Sequence, residues 1–286
     1  MTTTFVARLP KVGAEALARA LELPLEEIGV AHTLFESGDA WEVTVYVEPD
    51  ALAKAEPVLA NAGATFVRVE LADEDWVARS LRSLAPVRAG GFVVHGSHDR
   101  DTARAGETAI EIDANRAFGT GHHGTTAGCL EAIDRVLRRG RPDRMIDLGT
   151  GSGVLAIGLA KRCRRPVLAT DIDFLAVRIA AANARTNGVG HLVRTVRAVG
   201  PAHGAVADAS PFSLVVANIL AGPLRAMAPA IARSLAPGGA VILSGLLERQ
   251  RSAVLAAYRA QGLVHRGTIL REGWATLTLR HPVKGI

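Results

Sequence analysis

The amino-acid sequence predicts an α/β protein in which a small α+β domain precedes a doubly wound, mostly parallel sheet. Through about residue 71, strand and helix patterns follow one another in the order β-α-β-β-α-β. Beyond about residue 140, apolar strands alternate with helical segments, which is typical of βαβ units and a parallel sheet. The length of 286 residues also suits two domains, because most domains have about 100–200 residues.

The first part of the chain has the element order of a ferredoxin-like fold. Four segments have strand patterns, namely 3–8, 32–36, 41–47 and 66–71. Apolar residues recur at helical spacing in two stretches between these strands: Ala14, Leu17, Ala18 and Leu21, then Leu52, Ala55, Leu59 and Ala62. The resulting order is the split βαβ arrangement. Because this region has no polar cluster suited to chemistry, we expect residues 1–85 to form a substrate-recognition domain.

The junction between the two domains is marked by residues that interrupt regular structure. A helix is predicted over 73–84, and Pro86 and the pair Gly90-Gly91 follow it. We therefore predict a linker over 86–105 and a second domain over 106–286.

The second domain has the pattern of a seven-stranded sheet. Five segments have the pattern of buried strands: 144–148, 166–170, 192–196, 214–217 and 240–243. Four helices are predicted between and after them, over 154–161, 174–186, 223–235 and 248–261. The end of the chain, 264–270 and 274–279, has the pattern of an antiparallel hairpin that turns at Glu272-Gly273. Alternation with helices makes the first five strands parallel, so the sheet is mostly parallel.

The net charge of +5 is unevenly distributed along the chain. Residues 1–100 contain nine Lys/Arg and fifteen Asp/Glu, a net charge of −6, and residues 101–286 have a net charge of +11. This asymmetry indicates surfaces with different partners, or else ordinary solvated faces. An acidic first domain suits a basic protein as partner and offers a poor surface for phosphates. We therefore do not expect direct binding of nucleic acid.

Cysteine usage and hydropathy indicate the reducing cytoplasm. Cys129 and Cys163 lie far apart without metal-binding spacing, which argues against a disulfide framework and a Cys-rich zinc site. No apolar run reaches the roughly 18 residues that a membrane span needs. Residues 1–10 lack the layout of a signal peptide. We therefore expect a cytoplasmic protein without a membrane partner.

The strongest motif is a glycine-rich turn between a strand and a helix. An apolar run ends in Asp147, and Gly149, Gly151 and Gly153 follow before the helix predicted from Val154. Glycines there let a ligand approach the backbone and leave N–H groups exposed at the helix N-terminus. A dinucleotide fingerprint would read G-x-G-x-x-G and place a pyrophosphate on the helix. The tighter G-x-G-x-G spacing favours an S-adenosylmethionine turn, and a tight turn that binds nothing is the alternative.

Two polar side chains end strands of the predicted sheet. Asp171 follows Gly149 by 22 residues, close to the roughly 20-residue spacing at which such folds place an acidic side chain on a ribose. Asp173 suits the N-cap of the next helix. Asn218 ends the fourth strand, at the edge where open α/β sheets bind ligands, and offers both a donor and an acceptor. Alternatively, Asn218 caps the helix before Pro223.

A loop rich in glycine and hydroxyl side chains precedes the first strand of the second domain. It spans 117–126 and contains Thr126, and we expect it to fold over a ligand. Its pair His122-His123 lacks the further ligands that a metal site requires, so we predict no bound metal.

Taken together, these motifs resemble the PrmA family, the methyltransferases of ribosomal large-subunit protein eleven. The matching segments occur in family order, namely 118–126, 147–155, 171–173, 183–188, 218–224 and 237–248. The resemblance implies the seven-stranded methyltransferase sheet and contacts of Thr126, Gly149, Asp171 and Asn218 with S-adenosylmethionine. The predicted cofactor-binding residues, with the other two glycines of the turn, are Thr126, Gly149, Gly151, Gly153, Asp171 and Asn218. The family more often has Thr-His-Pro where this chain has His122-His123-Gly124.

The resemblance also implies a reaction and a substrate. Methyl groups would pass from S-adenosylmethionine to lysine ε-amines and an N-terminal α-amine of the ribosomal protein, free or on the ribosome. Asn218 is the predicted catalytic residue, because it could orient the amine, and no motif demands a general base. We expect a monomer. An RNA methyltransferase and a non-enzymatic ribosome-binding protein are the alternatives.

Overall fold

The computed structural model describes residues 3–28, 30–37, 40–47, 51–70, 86–112 and 123–283. The chain divides into two units, Met1–Ser83 and Leu84–Ile286, and separate clusters of buried apolar residues form their cores. The helix predicted over 73–84 lies outside the described residues. No helix in the described part of the chain is long and apolar enough to cross a membrane.

The first unit contains a four-stranded antiparallel sheet. Its elements are β1 (Thr3–Leu9), α1 (Lys11–Glu27), β2 (Ala31–Ser37), β3 (Ala40–Val47), α2 (Leu52–Ala60) and β4 (Val67–Glu70). The strand order is β2-β3-β1-β4, and every neighbouring pair is antiparallel. Alternate side chains of β3, such as the fully buried Val43 and Val45, pack with Leu17 and Leu21 of α1. The predicted split βαβ arrangement is confirmed.

Regular structure also occupies the segment that was predicted to be a linker. The strands β5 (Val87–Ala89), β6 (Phe92–His95) and β7 (Thr108–Glu111) form a three-stranded sheet in that order. Phe92 and Ile110 are fully buried in the core of the second unit, so residues 86–105 do not form a free connection. Gly90 and Gly91 have positive φ angles of 57° and 71° and turn the chain from β5 into β6. The glycines that suggested an interruption therefore make a tight turn.

The second unit is built on a seven-stranded sheet. Its strands are β8 (Met145–Leu148), β9 (Val167–Asp171), β10 (Val193–Arg197), β11 (Phe212–Asn218), β12 (Leu235–Leu247), β13 (Val264–Arg271) and β14 (Trp274–Arg280). Its helices are α3 (His123–Leu137), α4 (Val154–Cys163), α5 (Phe174–Thr186), α6 (Gly204–Ala209), α7 (Ala221–Ser234) and α8 (Arg251–Arg259). The strand order is β10-β9-β8-β11-β12-β14-β13. Strands β8 to β12 pair in parallel and β13 and β14 antiparallel, which confirms the predicted sheet.

Helix α3 is an element that the sequence patterns did not predict. Its first turn replaces the end of the loop predicted over 117–126, and residues 113–122 lie outside the described part of the chain. A Cβ atom on Gly128 would lie 2.4 Å from Oγ1 of Thr276 in β14, so the helix needs a glycine to pack this closely. Small residues on the packed face weaken the helical pattern of large apolar side chains on which the prediction depended.

Candidate functional site

Three parallel strands bring the predicted site residues to one edge of the large sheet. Leu148 of β8 lies opposite Thr170 of β9 and Ala217 of β11, so these strands end at the same level. The glycine turn follows β8, and Asp171 and Asn218 are the last residues of β9 and β11. Open α/β sheets bind ligands at this carboxyl edge.

The glycine turn has a backbone conformation that other residues rarely adopt. Gly149, Gly151 and Gly153 have φ angles of 70°, 54° and 85°. The N–H groups of Gly149 and Thr150 donate to the Thr170 carbonyl over 2.8 and 2.9 Å, which fixes the turn to β9. A Cβ atom on Gly149 would lie 2.3 Å from Cγ2 of Ile219. The turn therefore requires glycine for its φ angles and for its packing.

The turn is also held from the side of helix α5. The Asn183 side chain donates a hydrogen bond of 2.8 Å to the Ser152 carbonyl. A Cβ atom on Gly153 would lie 3.1 Å from Ala180, one turn before Asn183 on the same helix. The sequence alone does not predict this role of Asn183, because a contact with a residue 31 positions away leaves no periodic signal.

Asp171 is held by two backbone N–H groups and keeps acceptor capacity. Its Oδ2 accepts from Gly151 N at 2.9 Å and its Oδ1 from Asp173 N at 3.1 Å. A carboxylate has about four acceptor positions, so roughly one remains on each oxygen, as two neighbouring ribose hydroxyls require. Asp173 is the N-cap of α5 and accepts from Leu175 N at 2.8 Å, which confirms its predicted role.

Asp147 is a further candidate site residue, which no sequence motif marked as a ligand contact. Its carboxyl is buried, and its Oδ2 accepts from Thr150 Oγ1 at 2.7 Å and from Ala156 N at 3.2 Å. Its Oδ1 is buried and has no hydrogen-bond partner among the residues that the structure describes. Burial, and less strongly the charge of Asp171, raises the pKa of Asp147 to about 6. Buried polar atoms normally have a hydrogen-bond partner. A cationic ligand group with an N–H could donate the hydrogen bond that this oxygen lacks.

Asn218 faces the first turn of α3. Its Nδ2 donates to Oγ1 of Thr125 over 3.3 Å, which leaves the amide oxygen and one N–H for a ligand. Helix α7 begins at Ala221, and its N-cap is Leu220, without a side-chain cap. The alternative in which Asn218 caps this helix is therefore excluded.

Thr126 lies next to Thr125 in the first turn of α3, and both residues are buried.

The His122-His123 pair is not described, because residue 122 and the side chain of residue 123 fall outside the described part. Among the residues that the structure describes, no cluster of three or more His, Cys, Asp or Glu side chains could hold a metal ion.

Exposed apolar side chains follow the site strands at the same edge. Ile172, Phe174 and Leu175 come directly after Asp171 and are 64%, 59% and 52% exposed. Leu220, two residues after Asn218, is 70% exposed. Large apolar residues rarely cluster in water without a function, and here they offer a surface for a flat, partly apolar group such as a nucleobase.

Comparison with known proteins identifies the family. The family model described as ribosomal protein L11 methyltransferase (PrmA) matches residues 19–282. The chain belongs to this family. It is therefore an S-adenosylmethionine-dependent protein methyltransferase.

Relatives of this ribosomal protein L11 methyltransferase family match almost the whole chain. A ribosomal protein L11 methyltransferase of Mesorhizobium japonicum is 50% identical over 279 residues, covering 95% of this chain and 96% of its own. A ribosomal protein L11 methyltransferase of Brucella suis is 52% identical over 274 residues, which cover 94% of this chain and 96% of the relative. The crystal structure of a ribosomal protein L11 methylase from Lactobacillus delbrueckii subsp. bulgaricus has a TM-score of 0.63 and 26% identity. That match covers 70% of this chain and 100% of the other.

The residues at the carboxyl edge fit the cofactor of this methyltransferase family. S-adenosylmethionine carries an adenosine, a sulfonium and an amino-acid tail with an ammonium and a carboxylate. The remaining acceptor positions of Asp171 suit the ribose hydroxyls, and the apolar residues after it suit the adenine. The unpartnered Asp147 oxygen suits a positively charged group.

Proposed function

We propose that this enzyme transfers methyl groups from S-adenosylmethionine to amino groups of ribosomal protein L11, namely lysine ε-amines and the N-terminal α-amine. The names of its family and relatives support this substrate. We further propose that it acts as a cytoplasmic monomer on the free protein or on the ribosome. The two cysteines support a reducing compartment, because both are buried free thiols.

One observation carries the assignment of the cofactor site. The Asp171 carboxylate is fixed by the N–H of Gly151 and keeps, beside the glycine turn, lone pairs that no described donor occupies. In the proposal the cofactor contacts six residues, namely Thr126, Gly149, Gly151, Gly153, Asp171 and Asn218. In addition, the Asp147 carboxylate would interact with a positively charged group of the cofactor.

Asn218 is the proposed catalytic residue. When bound, the cofactor supplies an electrophilic methyl group on a sulfonium. A lysine ammonium, with an ordinary pKa near 10.4, has no lone pair, so only the neutral amine can attack. The amide oxygen of Asn218 can accept a hydrogen bond from that amine, and the bond to Thr125 fixes the orientation of the amide. Positioning of this kind supplies much of the acceleration in group transfer.

We propose that residues 1–85 select the protein substrate. Among the described residues, this unit has its own core of α1, α2 and the four-stranded sheet. The net charge of −6 over residues 1–100 suits a basic partner such as a ribosomal protein.

The test is a methylation assay with the full chain. Tritiated S-adenosylmethionine is supplied with purified ribosomal protein L11, with ribosomal RNA, or with both, and mass spectrometry locates the methyl groups. We expect label on lysine and N-terminal amines of the protein. Label on RNA alone would make the chain an RNA methyltransferase. Binding to the ribosomal protein without any transfer would make it a non-enzymatic binding protein.

A further inference from the structure

Two arginine-rich segments meet at the amino edge of the large sheet. One follows helix α3 and leads into β8, and the other lies at the end of helix α4 and leads into β9. We call the residues concerned the arginine cluster: Arg138, Arg139, Arg141, Arg144, Arg162, Arg164 and Arg165. Arg162 is partly buried, and the others are exposed.

Hydrogen bonds and ion pairs join the two segments. Arg162 Nη2 in α4 donates to Asp134 Oδ1 in α3 over 2.9 Å, and Arg138 Nε donates to the other Asp134 oxygen over 2.7 Å. Arg165 forms an ion pair with Asp143. These two aspartates leave a net charge of +5 over the cluster, which equals the net charge of the entire chain.

A pocket of about 140 Å³ lies within the arginine cluster. It is lined by Asp134, Leu137, Arg138, Arg141 and Arg162. At about 30 Å³ per water molecule, this volume holds roughly four or five waters, which suits one phosphate group. The Asp134 carboxylate does not oppose an anion strongly, because two guanidinium groups already neutralise it.

Helix capping explains only part of the arginine cluster. Cations near the last carbonyl groups stabilise a helix, which accounts for arginines such as Arg138 and Arg162. Arg144 and Arg165 lie further beyond the helix ends, where Arg144 donates to the Ser210 carbonyl over 3.2 Å and Arg165 pairs with Asp143. In the described part of the chain, no ion pair involves Arg139, Arg141 or Arg164, so no carboxylate offsets the repulsion between these cations and the neighbouring arginines.

We propose that the arginine cluster binds the phosphate backbone of RNA. Guanidinium groups form bidentate hydrogen bonds with phosphate, and seven of the eight cations in residues 138–144 and 161–165 are arginines. The eighth, Lys161, donates instead to the Ala109 carbonyl and to Asn187. Interfacial membrane binding needs exposed large apolar residues. None of those in the described chain belongs to either segment, so an anionic membrane is disfavoured as the partner of the cluster. Net charges summed over long stretches do not predict this surface, because its positive charge depends on the convergence of two short segments.

The proposal adds a second surface to the enzyme, distinct from the cofactor site. Arg144 directly precedes the first residue of β8, whereas the glycine turn follows its last residue. RNA on the cluster would therefore lie at the opposite edge of the sheet from Asp171 and Asn218. This arrangement would let the enzyme hold RNA while its cofactor edge remains open to the protein substrate.

The test measures RNA binding by the full chain with fluorescence anisotropy of a labelled RNA hairpin. The cluster variant combines Arg139→Gln, Arg141→Gln and Arg164→Gln, which removes three exposed cations without breaking a described ion pair. The matched control combines Arg225→Gln, Arg233→Gln and Arg259→Gln, three exposed arginines of α7 and α8. Titration with S-adenosylhomocysteine verifies that each variant is folded.

We expect the cluster variant to bind RNA at least about tenfold more weakly than the unmodified chain. The slope of log affinity against log salt concentration should become less steep by about 2 to 3. The control should stay within about twofold of the unmodified chain. Methylation of the free ribosomal protein without RNA should be unchanged in both. Equal RNA affinity of cluster variant and control would overturn the proposal, as would absence of RNA binding by the unmodified chain. Displacement of the RNA by polyglutamate or by phosphatidylserine vesicles as efficiently as by unlabelled RNA would assign the cluster to another partner.

Discussion

The backbone N–H of Gly151 donates a 2.9 Å hydrogen bond to Oδ2 of Asp171. This bond joins the glycine turn after β8 to the last residue of β9, two elements that are neighbours only because the strands pair in parallel. The carboxylate is therefore oriented before any ligand arrives. Such preorganisation reduces the entropy that a binding site loses when it captures a ligand.

The first prediction concerns this carboxylate. Asp171→Ala should weaken binding of S-adenosylhomocysteine by about 1.5–3 kcal/mol, the range for a hydrogen bond to a charged group. Isothermal titration calorimetry measures the affinity. Asp173→Asn is the matched control, because asparagine also caps helices well, and it should bind normally. Normal affinity of Asp171→Ala would remove Asp171 from the cofactor site.

The second prediction separates the two reasons for glycine at position 149. Gly149→Ala should destabilise the fold by more than the roughly 1–2 kcal/mol that a positive φ costs alanine, because its Cβ also meets Ile219. Gly188→Ala is the control, since Gly188 has φ 73° and no atom near its Cβ position. Adding Ile219→Ala to Gly149→Ala should recover part of the loss in urea unfolding. Equal decreases in the free energy of unfolding for Gly149→Ala and Gly188→Ala would show that the contact with Ile219 does not destabilise the fold.

The third prediction concerns Asn218. Asn218→Ala should lower kcat for methyl transfer on the order of 100-fold, because the amine loses its orienting acceptor. Its affinity for S-adenosylhomocysteine should fall much less, by about the 0.5–1.5 kcal/mol of one hydrogen bond. Thr125→Val keeps the amide but removes its partner, and we expect a smaller loss of kcat. If kcat is unchanged while affinity falls, Asn218 binds the cofactor only.

The fourth prediction follows from the raised pKa of Asp147. The folded-state pKa of about 6 exceeds the ordinary value near 3.9, so ionisation of this carboxyl opposes folding. Stability contributed by the protonated form is therefore lost as the pH rises from about 4 to about 6. Asp147→Asn removes this loss and can keep both hydrogen bonds to its oxygen.

The measurement for Asp147 is the free energy of unfolding in urea near pH 4.5 and near pH 7.5. Relative to the unmodified chain, Asp147→Asn should gain about 2 kcal/mol on going from the lower to the higher pH. Asp143→Asn is the control, because the Asp143 side chain is 72% exposed. The same pH dependence in the Asp147 variant and the unmodified chain would contradict the raised pKa.

The fifth prediction concerns the first unit. A chain that begins at residue 86 keeps both cores of the second unit, so it should bind S-adenosylhomocysteine with the affinity of the full chain. It should lose nearly all methylation of intact ribosomal protein L11. For the full chain, KM for that protein should rise with salt, since screening weakens charge steering. Equal rates for the truncated and full chains would mean that the first unit has no recognition role.

The order of elements could be predicted because each depends on local sequence. Periodic apolar residues define strands and helices, and parallel strands bring their carboxyl ends together, so the glycine turn, Asp171 and Asn218 were expected at one edge. The N-cap at Asp173 was likewise a local feature. Local patterns did not predict helix α3, because small residues stand on its packed face where large apolar ones would mark a helix. They also predicted a linker at Gly90 and Gly91, where these residues make a tight turn between two strands.

The sequence by itself determined the α/β class, the strand alternation, the cofactor turn and the family resemblance, because these follow from patterns within short segments. Only the tertiary structure decided that Thr125 meets Asn218, that Asp147 has a buried oxygen without a partner among the described residues, and that two arginine segments converge. Such properties depend on distances between residues that are far apart in the chain. Burial and charge repulsion act through those distances in space, and a one-dimensional pattern contains no record of them.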